Sequence, residues 1–355
     1  MVMGRLVAGG TRETAFPSWA GPAERLRYLL RYAILAPSRH NSQPWIFEIE
    51  GPELRLFGDW RRSLPVADPQ GRELVMACGA ALYNLELAAS HHGHATSVEV
   101  MAGSRKDGLL ARFTLEELRA PTPQVERLFA AIPVRRTNRL AFDTRDVPAG
   151  VASVLVREAA DQGASLRVID RTLRAAVAEL VAEGDRRQWA SARYRRELAR
   201  WLRSNRSGEL DGIPGYAHGL SEPASLLHRM LVRLRIQLPA EERRDRHYAL
   251  KTRALFALCT HADAPAHWLA AGRAMQRVLL RGAADGLSAS YFSQVIEVEP
   301  VRAQLKQTLG EPGFPQLLFR VGFGCELRST SRRPIERVLR SFSVASARRA
   351  IMRTI

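Results

Sequence analysis

The stretch Ala36-Pro37-Ser38-Arg39-His40-Asn41-Ser42-Gln43-Pro44-Trp45 decides how this chain is organised. Its prolines and short polar side chains, followed by an apolar run, predict a tight turn that delivers Ser, Asn and Gln side chains just before a strand. About a hundred residues later, Arg135-Arg136-Thr137-Asn138-Arg139 places three guanidinium groups and a hydroxyl within five residues. Such a set of charged and polar donors suits a phosphate group.

The overall composition is that of an ordinary globular protein with an unusual choice of cation. The 355 residues could hold two domains or one large intertwined domain. The net charge is +17, but only three of the 53 basic residues are lysine, which is simplest to explain by coding bias in a GC-rich genome. The arginines are dispersed and often stand beside carboxylates, as in 241–246, so we do not expect nucleic-acid binding.

No targeting segment, membrane span or metal motif is predicted. Residues 1–20 lack the apolar run of a signal peptide, and no segment approaches the ~18 consecutive apolar residues of a membrane helix. The three cysteines, Cys78, Cys259 and Cys325, are widely spaced and show no metal-ligand pairing. We therefore expect a cytoplasmic protein without a metal site and with small molecules as its partners.

Hydrophobic periodicity predicts helices and strands that occur in two similar series. The first series has helices over 22–36 and 71–89 and strands over 45–49, 54–57, 95–100 and 109–115. The second series has helices over 148–162 and 269–284 and strands over 165–169, 255–260 and 316–323. Helices mixed with hairpin-like strand pairs favour an α+β fold.

A repeated spacing indicates internal duplication. The segments 79–93 and 272–286 have the same glycine-to-glycine length and the same apolar rhythm. We therefore predict one module over 1–125 and a second over 126–355, the latter with an insertion at about 186–250. The insertion, rich in aromatic residues, is predicted to be a lid or binding element, although a peripheral helical hairpin is the alternative.

The two motifs together resemble the signatures of the FMN-dependent nitroreductase family, in inverted order. An ordinary family subunit begins with an Arg-Arg-Ser-x-Arg segment and reaches its Pro-Ser-x-x-Asn-x-Gln-Pro-Trp segment some thirty residues later, and two subunits share each flavin. Here the first module keeps the second signature and the second module keeps the first one. The chain is most similar to the Acg-like branch, and the resemblance implies a nitroreductase-like fold in which a fused pseudo-dimer retains one FMN site.

The resemblance also implies roles for individual residues. Arg135, Arg136 and Thr137, with Arg332 and Arg333 near the C-terminus, correspond to groups that hold the FMN phosphate, and Arg139 corresponds to a cation near flavin N1 and O2. The ring and ribityl chain are expected to contact residues of the first signature, Pro37, Ser38, Arg39, Asn41 and Gln43. Ser293 and Gln294 lie in the stretch whose backbone faces flavin N5 in relatives.

Two functions follow as alternatives. In the first, the protein is an oxidoreductase that passes electrons from NADPH or NADH through FMN to a nitroaromatic, a quinone or a similar acceptor. No side chain need act as acid, base or nucleophile, because the cofactor carries the chemistry. In the second, the lid closes over FMN and the protein sequesters or stores the cofactor. The acceptor, the nicotinamide and the oligomeric state stay open.

Overall fold

Two sheets, with helices packed between and around them, form the part of the chain that the computed structural model describes: residues 15–101, 108–234, 240–310 and 312–340. Apart from one parallel pair at an edge, the strands of both sheets pair antiparallel. Helices and antiparallel sheets combine into an α+β fold, as the sequence predicts. Of the stretch used to judge targeting, residues 1–14 lie outside the described residues.

The first sheet is built around a hairpin with a short turn. Its strands and the helices of the same region are α1 (Pro22–Ala33), β1 (Trp45–Glu50), β2 (Glu53–Gly58), α2 (Arg72–His91), β3 (His94–Val100), β4 (Leu109–Leu118) and α3 (Pro123–Ala131). The strand order is β1-β2-β4-β3. Gly51 turns the β1–β2 hairpin with a φ of 57°, where glycine carries no steric penalty. The predicted hairpin is confirmed, whereas α1 ends three residues before its predicted limit.

The second sheet repeats this plan. Its elements are α4 (Val151–Ala160), β5 (Ser165–Val168), β8 (Ala254–Thr260), α9 (Pro265–Ala284), β9 (Ser288–Tyr291), α10 (Gln294–Glu297), α11 (Glu299–Leu309) and β10 (Phe314–Gly322). The order is β5-β8-β10-β9. In each sheet the first two strands are neighbours, a long helix follows the second strand, and the fourth strand inserts between the second and the third.

The long helices α2 and α9 pack against each other through two glycines in equivalent positions. A Cβ atom at Gly79 would overlap the carbonyl oxygen of Leu269, and one at Gly272 would overlap that of Met76. Leu269 and Met76 each lie three residues before the partner glycine, so the contact is reciprocal, as in a two-fold symmetric interface. Both helices are largely buried, because α2 in particular is apolar on nearly every face. This arrangement is what a duplicated module produces, while a boundary at 125 stays a prediction.

The two modules differ most in the connection between their first two strands. Gly51 and Pro52 suffice in the first module, whereas the connection between β5 and β8 is formed by residues 169–253. That connection contains α5 (Arg171–Ala190), α6 (Ala192–Trp201), β6 (Leu202–Arg203), β7 (Ile213–Pro214), α7 (Glu222–Arg233) and α8 (Ala240–Lys251). Because α5 begins at Arg171, the extra material begins before residue 186. Residues 235–239 of the predicted insertion lie outside the described residues.

The last described segment returns to the first module. After β10, the chain runs to α12 (Ile335–Val338) and β11 (Leu339–Arg340). Strand β11 pairs in parallel with β1, with Leu339 opposite Phe47. The segment 323–334 is thereby drawn across from the second module to the first. None of the helices in the described ranges is long and apolar enough to cross a membrane.

Candidate functional site

The turn between α1 and β1 has an unusual backbone. His40, Asn41 and Gln43 have φ values of 52°, 55° and 50°, a region that residues other than glycine seldom adopt. Each such residue costs on the order of 1–3 kcal/mol and persists only when its surroundings impose it. The hydroxyl of Ser38 accepts a hydrogen bond from the Gln43 amide at 2.8 Å, which closes the turn. Strain of this kind is concentrated at functional sites.

The arginine-rich segment follows α3 and lies along the edge of the second sheet. Thr137 forms a parallel bridge to Ala289, and the Asn138 amide donates to the Ala289 carbonyl at 2.9 Å. The Asn138 side chain is buried and donates to the Cys325 carbonyl at 2.9 Å. Asn138 therefore fixes the direction of the arginines on either side. Asn138 was not predicted as a site residue, and in the sequence only its position within the arginine motif pointed to a role at the site.

The segment after β10 joins the turn from the other side. Arg332 donates from Nη1 to Oδ1 of Asn41 at 3.1 Å and to the hydroxyl of Thr330 at 2.7 Å. The Arg333 amide donates to Oε1 of Gln43 at 2.7 Å, and its Nη1 donates to the Gln43 carbonyl at 3.1 Å. Three stretches that are far apart in sequence thus meet at one place.

Three adjoining cavities lie where these stretches meet. Thr137 and Arg139 line all three, and eleven of the thirteen residues singled out from the sequence line at least one. Of the predicted residues, the first cavity is also lined by Pro37, Ser38, Asn41, Arg135, Arg136 and Arg332. The second is also lined by Pro37, Ser38, Arg39 and Ser293, and the third by Arg39 and Gln294. Gln43 and Arg333 line none of them and lie behind the turn, bonded to each other.

The first cavity carries cations without counter-charges. No carboxylate occurs among the described residues that line it. Arg135 is only 5% exposed, and its Nε and Nη1 have no hydrogen-bond partner in the described part of the chain. Nε of Arg136 and of Arg332 are likewise buried without partners there. Burial lowers the pKa of Arg332 to about 9, and the charges of Arg135 and Arg136 contribute to the shift. The cavity is therefore suited to an anion.

The second cavity combines an apolar wall with a buried charge cluster. Met76, Ala77, Met275 and Leu317 line one part of it. Arg39 forms an ion pair with Glu297 at 2.6 Å and approaches Glu73 at 3.8 Å, so its charge is compensated, unlike those in the first cavity. Burial, with the neighbouring Glu297, raises the pKa of Glu73 to about 7. Glu73 stands at the start of α2 and was not predicted as a site residue from the sequence.

Comparison with known proteins identifies relatives over almost the whole chain. No protein-family profile matches it. A Mycobacterium tuberculosis H37Rv protein named "Putative NAD(P)H nitroreductase Rv3131" is 32% identical over 335 residues, which cover 92% of this chain and 93% of the relative. The chain belongs to the nitroreductase family. A second relative from the same organism, named "Putative NAD(P)H nitroreductase acg", is 27% identical over 317 residues, covering 88% of this chain and 94% of the relative.

Solved nitroreductase structures show a more distant likeness. A crystal structure of a nitroreductase from Anabaena variabilis is 11% identical, covers 85% of this chain and 74% of that chain, and superposes with a TM-score of 0.42. The FMN-dependent nitroreductase NfnB from Mycobacterium smegmatis is 16% identical, covers 62% of this chain and 98% of that chain, and has a TM-score of 0.38.

Residues of the insertion lie at the meeting place of the two modules. Gly212, Ile213 and Ala217 line the first cavity. Residues from the predicted insertion also line the third cavity, among them Trp189, Tyr194, Leu198, His218, Arg244 and Tyr248. The insertion therefore contributes residues to the first and third cavities, and its action as a lid stays a prediction.

The insertion is held in place by contacts with the first module. Asp211 forms an ion pair with Arg62 of the first module and, at 2.7 Å, a second one with Arg203 of the insertion itself. Nε2 of Gln43 donates to the Leu210 carbonyl at 2.7 Å, and Nδ2 of Asn41 donates to the Gly212 carbonyl at 3.2 Å. We call these contacts the latch. The connection between β2 and α2 supplies Arg62 to the latch.

A second contact lies further along the same connection. The Glu197 carboxylate accepts hydrogen bonds from the amides of Val66 and Ala67 at 2.9 and 2.8 Å. Leu64 and Ala67 pack with Tyr194 in a small apolar cluster. Residues 59–71 thus serve as the docking surface for the insertion.

Proposed function

We propose that this chain binds one FMN between its two modules and works as an oxidoreductase that takes electrons from a reduced nicotinamide. The proposal depends above all on the first cavity, where Arg135, Arg136 and Arg332 converge without a carboxylate. A phosphate dianion would satisfy their buried, unpartnered nitrogen atoms and remove the mutual repulsion of the guanidinium groups. Relatives that cover the whole site are named as NAD(P)H nitroreductases, in agreement with this proposal.

The remaining residues would position the rest of the cofactor. Thr137 and Arg139 line all three cavities, so a ligand whose phosphate lies in the first would pass them on its way into the second. Burial, followed by the charges of Arg39 and Arg244, lowers the pKa of Arg139 to about 10, yet at neutral pH the side chain remains a cation. A cation beside a flavin ring favours the anionic reduced form. Ser38, Ser293 and the apolar wall of the second cavity would hold the ring, and FMN would supply the hydride chemistry.

Gln43 and Arg333 receive a different role from the one the family resemblance implied. Because they bond to each other behind the turn, we assign them to holding the turn against the C-terminal segment. The role of Arg39 also differs from the implied one, because its ion pair with Glu297 compensates the charge that would otherwise attract a ligand.

A sequestering function is the second candidate, and the latch is the observation that favours it. The insertion lines both the first and the third cavity and is bonded directly to Asn41 and Gln43. A lid in this position would restrict the access of reductant and acceptor to bound FMN. The two candidates agree about the cofactor and differ about turnover.

One anaerobic experiment tests both candidates. The purified protein is saturated with FMN, freed of excess flavin, and mixed with NADH or NADPH while the flavin absorbance is followed. If the protein is an oxidoreductase, the absorbance of the bound flavin should fall within seconds to minutes and recover on addition of a quinone or nitroaromatic. Bound FMN that resists both nicotinamides but bleaches with dithionite would favour sequestration. Absence of FMN binding would overturn both. The flavin released by heat measures stoichiometry, and we expect one FMN per chain.

A further inference from the structure

The third cavity is a polar chamber beneath the insertion, separate from the cluster of arginines expected to hold the phosphate. It has about 130 Å3 of open space. For comparison, an engineered cavity of about 150 Å3 binds benzene, so the chamber has the size for a compound with one ring. It shares Thr137 and Arg139 with the proposed flavin site, which places its contents beside the cofactor.

Two histidines face this chamber with unused hydrogen-bonding capacity. His40, at 3% exposure, has no partner for either ring nitrogen in the described part of the chain. His218, from the insertion, has a buried Nε2 that also lacks a partner there. A buried polar group without a partner costs about 1–3 kcal/mol. Two such groups from different modules, lining one chamber, indicate a ligand that hydrogen-bonds to both.

The charges around these histidines favour an anionic ligand. Burial lowers the pKa of His40 and of His218 well below the ordinary value, and the charges of Arg39 and Arg139 act in the same direction on both rings. Arg244 acts on His218 as well. Both imidazoles are therefore neutral at pH 7, and each can offer one N–H group to an acceptor.

Two carboxylates also line the chamber, and both have partners. Asp245 pairs with Arg244 at 3.1 Å, and Gln294 donates to Asp185 at 3.2 Å and to Asp245 at 3.5 Å. Amide and guanidinium groups therefore compensate these two carboxylates. The charges that act on the two histidines are, in contrast, positive.

We propose that the chamber binds an electron acceptor with a single ring and a carboxylate group, and that His40 and His218 donate hydrogen bonds to the carboxylate while Arg244, although paired with Asp245, adds positive charge beside it. This inference rests on the proposed function, because the ring would lie beside the flavin. The placement of His218 and Arg244 on the insertion makes that segment part of the acceptor site. It also selects for charge: a neutral compound of the same shape would offer the histidine N–H groups only uncharged acceptors, which form weaker hydrogen bonds.

The test compares two nitroaromatics of nearly the same shape, one an anion and the other a neutral amide. 4-Nitrobenzoate and 4-nitrobenzamide are titrated calorimetrically into the oxidised protein, in phosphate buffer containing excess FMN so that the arginines of the first cavity are occupied. We expect the carboxylate to bind about tenfold more tightly or better, the factor that corresponds to a charge-assisted hydrogen bond. Equal affinities would overturn the proposal.

Variants locate the effect. Arg244→Gln and His218→Asn should each remove most of the preference for the carboxylate, while Arg246→Gln should keep it, because Arg246 is exposed on the same helix and pairs with Glu179. A preference that survives in both chamber variants would contradict the assignment. The calorimetric result is independent of turnover: a charge preference without flavin bleaching by nicotinamide counts against the reductase activity only, and bleaching without a charge preference counts against the chamber only.

Discussion

The two modules each have a turn between their first helix and first strand, and the surroundings of the two turns have opposite charge arrangements. In the first cavity, beside 34–44, Arg135, Arg136 and Arg332 converge, and none of the described residues that line it is a carboxylate. Beside 161–164, Arg127, Arg277 and Arg281 are paired with carboxylates. The ion pairs there are Arg277 with Glu158 and with Asp161, Arg281 with Asp285, and Arg127 with Asp285. A cluster of arginines thus indicates a ligand site only where the protein leaves its charges uncompensated.

The same comparison explains how one site could survive a duplication. The turn of the first module has eleven residues, and that of the second has four. The shorter turn has no room for a Pro-Ser-x-x-Asn motif, and Glu158 and Asp161 supply carboxylates there instead. The position that corresponds to the proposed ligand site of the first half is occupied in the second half by a set of ion pairs.

The largest expected effect is a difference in stability between equivalent substitutions. Arg277→Met leaves the carboxylate of Glu158 buried, with its side chain 5% exposed, beside only a distant arginine and Gln124. Removing one partner of a buried ion pair should lower the free energy of unfolding by about 3 kcal/mol. Arg135→Met removes a buried cation that has no carboxylate nearby, so the flavin-free protein should keep its stability or gain about 1 kcal/mol.

Urea unfolding of the two flavin-free variants, followed by circular dichroism, measures both values. Arg246→Gln serves as the control for loss of an exposed ion pair, which should cost well under 1 kcal/mol. Equal losses for Arg135→Met and Arg277→Met would mean that both clusters serve the fold alone.

The effects of the same two variants should be reversed for FMN affinity: Arg135→Met should have the larger effect and Arg277→Met the smaller one. Arg135→Met should weaken FMN binding by about 1.5–3 kcal/mol, the range for hydrogen bonds to charged groups. Arg277→Met should leave the affinity unchanged under conditions where it is folded. Fluorescence titration of FMN provides the dissociation constants, and riboflavin, which lacks the phosphate, should be insensitive to Arg135→Met. An equal loss for riboflavin would assign Arg135 to the ring or to the fold.

The sequence predicted much of the fold because duplication leaves a periodic record. The spacing from Gly79 to Gly93 and from Gly272 to Gly286 was sufficient to align α2 with α9, and the backbones of the two helices approach each other closely at Gly79 and Gly272. The paired motifs likewise predicted which stretches would meet. Both predictions depend on local patterns that are preserved in the sequence.

Other features could not be read from the sequence, because they depend on contacts between distant residues. Nothing local distinguishes the paired Arg277 from the unpaired Arg135. His40 looked like a variable position within a motif, although it is buried and lines the chamber. Gln43 belonged to the motif, yet it bonds to Arg333 behind the turn. Burial and partners decide these roles, and both emerge only when the chain is folded.

The smallest expected effect concerns the latch, which exists only beside the first turn. Asp211 has its pKa lowered despite burial, because Arg62 and Arg203 donate hydrogen bonds to it. Asp211→Asn keeps the shape of the side chain but weakens both ion pairs, so the insertion should open more often and expose bound FMN. We expect the reduction of FMN by dithionite to accelerate about threefold to tenfold, which corresponds to about 0.7–1.4 kcal/mol in the opening equilibrium. Stopped-flow absorbance gives the rate, and Glu209→Gln, at an exposed neighbouring position, is the control that should not change it.

The wild-type rate should also rise when the pH falls toward the lowered pKa of Asp211, and this rise should be absent in Asp211→Asn. If the rate is the same in both proteins while FMN stays bound, the latch does not limit access, and the sequestering candidate loses its main support.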